Sequence, residues 1–235
     1  MENNIKTVLS IDMDFIMKPI INAYNSFTGS NNPDAFWDNM NQIRDLDKLA
    51  TIDENNFKYI IKIITKALQN KDVNIIFAEH HDYILEQLTE NITKDTKYKL
   101  INIDHHHDIY YGDNQMGDVD RYDLPGVGSW VWYLDKYKLL NRYTWIGNDN
   151  SYEFEGKPLE APYFEFRDMV DLEILKLERV DYLFICKSRG WIPPMFYKYF
   201  EYIKEMVEGF TNTEYEVNID NYCRGVLSRP LNLKE

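Results

Sequence analysis

Leu100-Ile101-Asn102-Ile103-Asp104-His105-His106-His107-Asp108 decides how the rest of this chain is read. Its first four residues are mostly apolar and β-branched, as at the end of a buried strand, and they run straight into five consecutive ionisable residues. Such a run is poor core material. At an extended strand end the side chains at i, i+2 and i+4 share a side, so the spacing predicts that Asp104, His106 and Asp108 converge on one point. Carboxylate with imidazole is a ligand set suited to Mn, Fe, Ni or Zn. A D-x-H-x-D in isolation is more often a solvated loop, but the other histidines weigh against that. Of five histidines, three lie here, and His80 and His81 follow a second apolar run at residues 73–78.

Outward from this stretch, strands are expected at residues 6–11, 73–78, 143–146 and 180–186, with a possible edge segment at 163–166. The first of them ends in Asp12-Met13-Asp14, two carboxylates spaced to face one side of a sheet edge, although an Asp after a strand also caps helices. Helices are expected at 33–46, 83–88, 129–140 and 172–177. Another starts at a capping box of Thr51 and Glu54 and runs to Leu68, and one runs from Pro193-Pro194 to Val207, stopping at Gly209. Residues 215–219 suit a terminal strand. Alternating strands and helices imply the α/β class, a three-layer sandwich with a mostly parallel sheet. Ligands in such sheets bind at the carboxyl ends of the strands. Asp12, Asp14, His81, Asp104, His106 and Asp108 all fall there, enough ligands for two metals.

The chain has 235 residues, 44% hydrophobic and 28% charged, which is globular composition and is read as one domain spanning 1–235. A formal charge of −13 speaks against nucleic acid or an anionic membrane as partner and favours cationic ones. No apolar run of ~18 residues and no signal-peptide pattern is present, so a cytoplasmic location is expected, with Cys186 and Cys223 reduced.

These motifs resemble the arginase/deacetylase superfamily, whose ureohydrolases carry G-G-D-H, D-A-H-x-D and S-x-D-x-D signatures around two manganese ions. Ala78-Glu79-His80-His81 is similar to the first, Asp104 to Asp108 to the second, and Ser10-Ile11-Asp12-Met13-Asp14 to the third. Tyr143-Thr144-Trp145-Ile146-Gly147 is similar to another strand of that fold. The D-x-D element stands last in ordinary arginases and first here, the order of a circular permutation. With Ser188-Arg189-Gly190-Trp191-Ile192-Pro193-Pro194, this order resembles the UPF0489 family and its peptide arginases, which form ornithine from arginine in ribosomal precursor peptides.

The resemblance implies an arginase-like fold and two Mn2+ ions. Asp12, His81, Asp104 and Asp108 would hold one, and Asp14 and His106 the other, with Asp12 and Asp104 bridging. It implies hydrolysis of a guanidinium group by a metal-bridging hydroxide, with urea released from an arginine-containing precursor peptide. Departures exist: Ala78 and Glu79 stand where the family has glycines, and the loop histidine of ordinary arginases is replaced near Trp130. Glu79 is a candidate to orient the guanidinium, and His107 a candidate for proton transfer, although an outer hydrogen bond is the blander reading of His105 and His107. Asp118, Asp120 and Trp130 are candidate substrate contacts. Alternatives are an amide hydrolase such as a deacetylase, a haloacid-dehalogenase-type phosphatase using Asp12 as nucleophile and Asp14 as acid, and a non-enzymatic binding protein.

Overall fold

Successive residues of the central strands face opposite ways, and both faces are apolar, the signature of a sheet covered on both sides. The computed structural model describes residues 4–19, 33–43, 50–69, 72–81, 83–89, 96–109, 128–151, 164–167 and 179–212. Its strands are β1 (Asn4–Asp12), β2 (Met17–Pro19), β3 (Ala50–Ile52), β4 (Asn74–Ala78), β5 (Thr96–Ile103), β6 (Leu140–Ile146), β7 (Phe164–Arg167) and β8 (Tyr182–Cys186). Its helices are α1 (Pro33–Ile43), α2 (Glu54–Ala67), α3 (Tyr83–Thr89), α4 (Trp130–Lys136) and α5 (Tyr197–Asn212).

Six strands form one sheet in the order β4-β8-β1-β5-β6-β7, with every neighbouring pair parallel. Leu9 and Ile11 of β1, Ile101 and Ile103 of β5, and Leu183 and Ile185 of β8 pack on one face, with apolar residues of α2 and α5. Val8, Tyr98, Leu100, Tyr143, Trp145 and Phe184 pack on the other, with residues of α3 and α4. Two cores thus sandwich the sheet, the three-layer α/β arrangement expected from the alternation. Parity has a consequence at the strand ends. Ser10 and Asp12 share a face, as do Asn102 and Asp104.

Several boundaries differ from expectation. Thr51 does not cap α2, because it belongs to β3, a short antiparallel partner of β2. Asp53 caps instead, its carboxylate accepting from the backbone N–H groups of Asn55 and Asn56 at 2.9 and 3.1 Å. The expected 129–140 helix is shorter, since Leu140 already starts β6 and pairs with Tyr98. α5 continues through Gly209 to Asn212. A mid-helix glycine costs only about 1 kcal/mol, which the buried stripe of Phe200, Ile203, Met206 and Val207 outweighs. The expected helix at 172–177 and strand at 215–219 lie outside the described residues.

Candidate metal centre

Asp12 is the last residue of β1, and it uses its two oxygens separately. Oδ1 accepts from the Asp14 N–H at 3.1 Å, capping the 3-10 turn Met13–Ile16, while Oδ2 lies 3.2 Å from His81 Nδ1. Helix capping and site building are therefore not exclusive. His81 follows β4 after two bend residues and is clamped between Phe184, stacked at 5.7 Å, and Trp130 at 4.9 Å. Beyond β5, Asp104 folds its own loop: Oδ1 accepts from the His106 N–H at 2.8 Å. Asp108 sits in the left-handed region at φ 52. Asp104, His106 and Asp108 do not converge on one point as the extended alternation predicts: a bend and a left-handed residue turn Asp108 toward His81, while His106 faces Asp14, and Asp104 lies between the two.

The side chains form two groups sharing Asp104. One is Asp12, His81 and Asp104; the other is Asp14, Asp104 and His106; within each group the ligand atoms all lie within 4.8 Å of one another. His81 Nδ1 faces Asp12 Oδ2 and Asp104 Oδ2 at 3.2 Å each and Asp108 Oδ2 at 3.0 Å, and His106 Nδ1 is 2.8 Å from Asp14 Oδ2. Buried His81 Nδ1 and Asp14 Oδ2 have no hydrogen bond of good geometry among the described residues. One imidazole proton cannot serve three carboxylate oxygens, whereas a divalent cation can. Asp12, Asp14, Asp104 and Asp108 are each at most 5% exposed, a buried negative charge that demands a counter-charge. This oxygen-rich donor set with imidazole could hold a divalent metal ion.

A second layer orients these groups. His81 Nε2 shares a 2.6 Å hydrogen bond with Ser10 Oγ, and with the proton on Nε2 the Nδ1 lone pair faces the carboxylates. Asn102 Nδ2 donates to Asp104 Oδ2 at 3.2 Å and the Trp145 indole donates to the Asp104 carbonyl at 3.0 Å. Asp108 Oδ2 accepts from Trp130 Nε1 at 2.6 Å. The Phe15 carbonyl, next to Asp14, accepts from both Asn56 Nδ2 and Asn148 Nδ2, at 3.0 and 2.9 Å. Asn148 Oδ1 also takes His105 Nδ1 at 3.2 Å, so one amide ties the loop after β6 to those after β1 and β5.

Of the expected catalytic and substrate positions, Glu79, His107 and Trp130 are among the described residues. The Glu79 carboxylate is flanked by Lys187 Nζ at 3.5 Å and Arg189 Nε at 3.3 Å, two cations that compete with any guanidinium for it. His107 is buried beside Trp145, and its Nδ1 accepts from the Ile109 N–H at 3.1 Å. Trp130 is 0% exposed, behind Asp108 and His81 rather than at a surface. Asp118 and Asp120 lie outside the described residues. Ser10, Asn102 and Asn148 escaped the sequence reading; the first opens the S-x-D-x-D signature, which is the one signal that pointed to it.

Without a cation the centre holds protons. Burial, with the charges of Asp108 and Asp12 adding, lifts Asp104 to about 7. Burial opposes charge on His106, but Asp14 outweighs it and raises the imidazole to about 9. His81 is likewise raised well above its ordinary value by Asp104, Asp108 and Asp12 against burial. Burial, followed by the His106 charge, lowers His107 to about 4. An imidazole raised on folding stabilises fully below its unfolded pKa of about 6.5, and that stability is lost as pH climbs to the folded value. Metal-stripped protein should therefore lose several degrees of Tm between pH 7 and 9, as His106 gives up its proton. Added manganese should reverse the trend, because it takes the place of that proton. Thermal melts with chelator and with metal at both pH values check this; a flat metal-free Tm would refute it.

No family model, curated protein or solved structure matches this chain. Among the described residues no helix is long and apolar enough to cross a membrane.

Proposed function

We propose that this protein is a metal-dependent hydrolase of guanidinium groups, most simply a peptide arginase that converts arginine side chains of a precursor peptide to ornithine with release of urea. The observation carrying this reading is the sharing of buried Asp104 by two Asp/His groups, because a shared carboxylate suits a pair of divalent ions a few ångströms apart. Asp12, His81, Asp104 and Asp108 would hold one manganese, and Asp14, His106 and Asp104 the other. Such a pair supplies, when bound, an activated water at neutral pH and positive charge for a tetrahedral intermediate. The chain's own residues do the positioning: Ser10 holds the His81 ring by its Nε2, Trp130 fixes one oxygen of Asp108, and Asn102 fixes one of Asp104. An acidic chain with charge −13 also suits a cationic substrate.

The test uses manganese-loaded protein with free arginine and with blocked peptides holding one internal arginine. Release of urea with a loss of about 42 Da per converted arginine supports the reading. Peptide is expected to exceed free arginine in kcat/KM by orders of magnitude, since remote contacts position the reacting group. Unchanged mass with every arginine compound would overturn the reading, and preference for free arginine would overturn its peptide part alone.

A further inference from the structure

Among the described residues, the centre meets solvent at His106. Its side chain is 20% exposed, whereas those of Asp12, Asp14, His81, Asp104 and Asp108 are 7% or less. Trp191 stands beside that opening. Its ring centroid lies 4.5 Å from that of His106 at a 47° tilt, and the residue is half-buried.

The turn that delivers Trp191 is costly and well anchored. It leaves β8 at Cys186, whose register partner is Asp12, so it begins beside the centre. Ser188 adopts φ 59, a left-handed conformation that non-glycine residues avoid, and its carbonyl accepts from the Trp191 and Ile192 N–H groups at 2.8 and 3.0 Å. Ser188 Oγ is buried with no hydrogen-bond partner among the described residues. The Arg189 carbonyl accepts from Trp37 Nε1 at 2.8 Å and from the Tyr197 hydroxyl at 3.4 Å. Backbone strain and an unsatisfied buried hydroxyl in one four-residue turn persist only where the surroundings over-determine them, and such spots cluster at ligand clamps.

We propose that Trp191 is the substrate-recognising wall of the centre, taking a flat, delocalised cation on its indole face and so selecting guanidinium over ammonium. The proposal rests on the guanidinium-hydrolase reading and names the residue behind its specificity. A guanidinium stacks on an aromatic face and is weakly hydrated, while a compact ammonium holds its water more tightly and offers no plane. A group reaching the centre past His106 passes this ring. Glu79, already flanked by Lys187 and Arg189, is thereby relieved of the recognition role.

The experiment measures binding of N-acetyl-arginine amide and N-acetyl-lysine amide to manganese-loaded protein by calorimetry, with urea release measured in parallel. Wild-type protein should prefer the arginine probe. Trp191→Leu should weaken it about tenfold or more and raise KM for urea release more than it lowers kcat, with manganese content unchanged. Trp191→Phe should restore most of the loss. Equal binding of both probes by wild type, or an unchanged Kd and KM in Trp191→Leu, would overturn the proposal while urea release left the hydrolase reading standing. Loss of manganese from Trp191→Leu would reduce the indole to a packing partner of His106 and overturn it too. A wild-type protein that neither releases urea nor binds the arginine probe would remove both.

Discussion

Asp104→Asn is expected to abolish manganese binding at both groups and, with it, the proposed urea release, while the metal-free variant stays folded. Asp104 belongs to both ligand sets, so its loss takes a ligand from each. An amide is a far poorer ligand than a carboxylate for hard cations and leaves the buried charge balance wrong for a second ion. Folding should survive because burial lifts the Asp104 pKa to about 7, so metal-free protein already tolerates the neutral acid there at neutral pH, and asparagine copies its shape. Its Oδ1 can keep the hydrogen bond from the His106 N–H. Metal analysis after gel filtration, urea release and a melt of the stripped protein give the three readings. Two manganese ions retained by Asp104→Asn would mean that the shared-carboxylate assignment is wrong.

Asp14→Ala is expected to leave one manganese per chain instead of two. Asp14 lies only in the group with His106, and the remaining set of Asp12, His81, Asp104 and Asp108 keeps a nitrogen and three carboxylates around one point. Activity should fall by at least about 10²–10³-fold, the loss typical of deleting one electrostatic stabiliser of a transition state. The metal-free variant should also lose part of the pH dependence of its Tm, because Asp14 is what raises the His106 imidazole. Full activity with a single ion would point to one-metal chemistry and to the amide-hydrolase alternative.

Much of this frame can be read from local pattern. Apolar runs such as Leu100 to Ile103 and Leu183 to Cys186 are strands because both their faces are covered, and each ends where charged residues begin. Asp12, Asp14, His81, Asp104, His106 and Asp108 are conspicuous at those ends for the same reason. The local conformation was not legible: strand alternation predicts the meeting of Asp104 with Asp108, yet a turn at Asp104 and a left-handed Asp108 achieve it. Short elements also escape pattern, as with the three-residue β2 and β3, which hold each other only across a long connection. Residues that support the centre are invisible locally because their partners are distant. Ser10 and His81 are 71 residues apart, Asn148 and Phe15 are 133 apart, and Trp37 and Arg189 are 152 apart.

The position of β1 bears on how the protein is made. It precedes both β5 and β8 in the chain, yet it lies between them, and the Thr7 N–H reaches Asp181 across 174 residues. At a translation rate of about 5–20 residues per second, β1 waits roughly 10–35 s for its last neighbour. Through that interval Val8, Leu9 and Ile11, each 0% exposed in the finished fold, have no completed sheet to enter. The centre at the carboxyl end of β1 therefore comes together only once β8 has been made and has taken its place between β1 and β4.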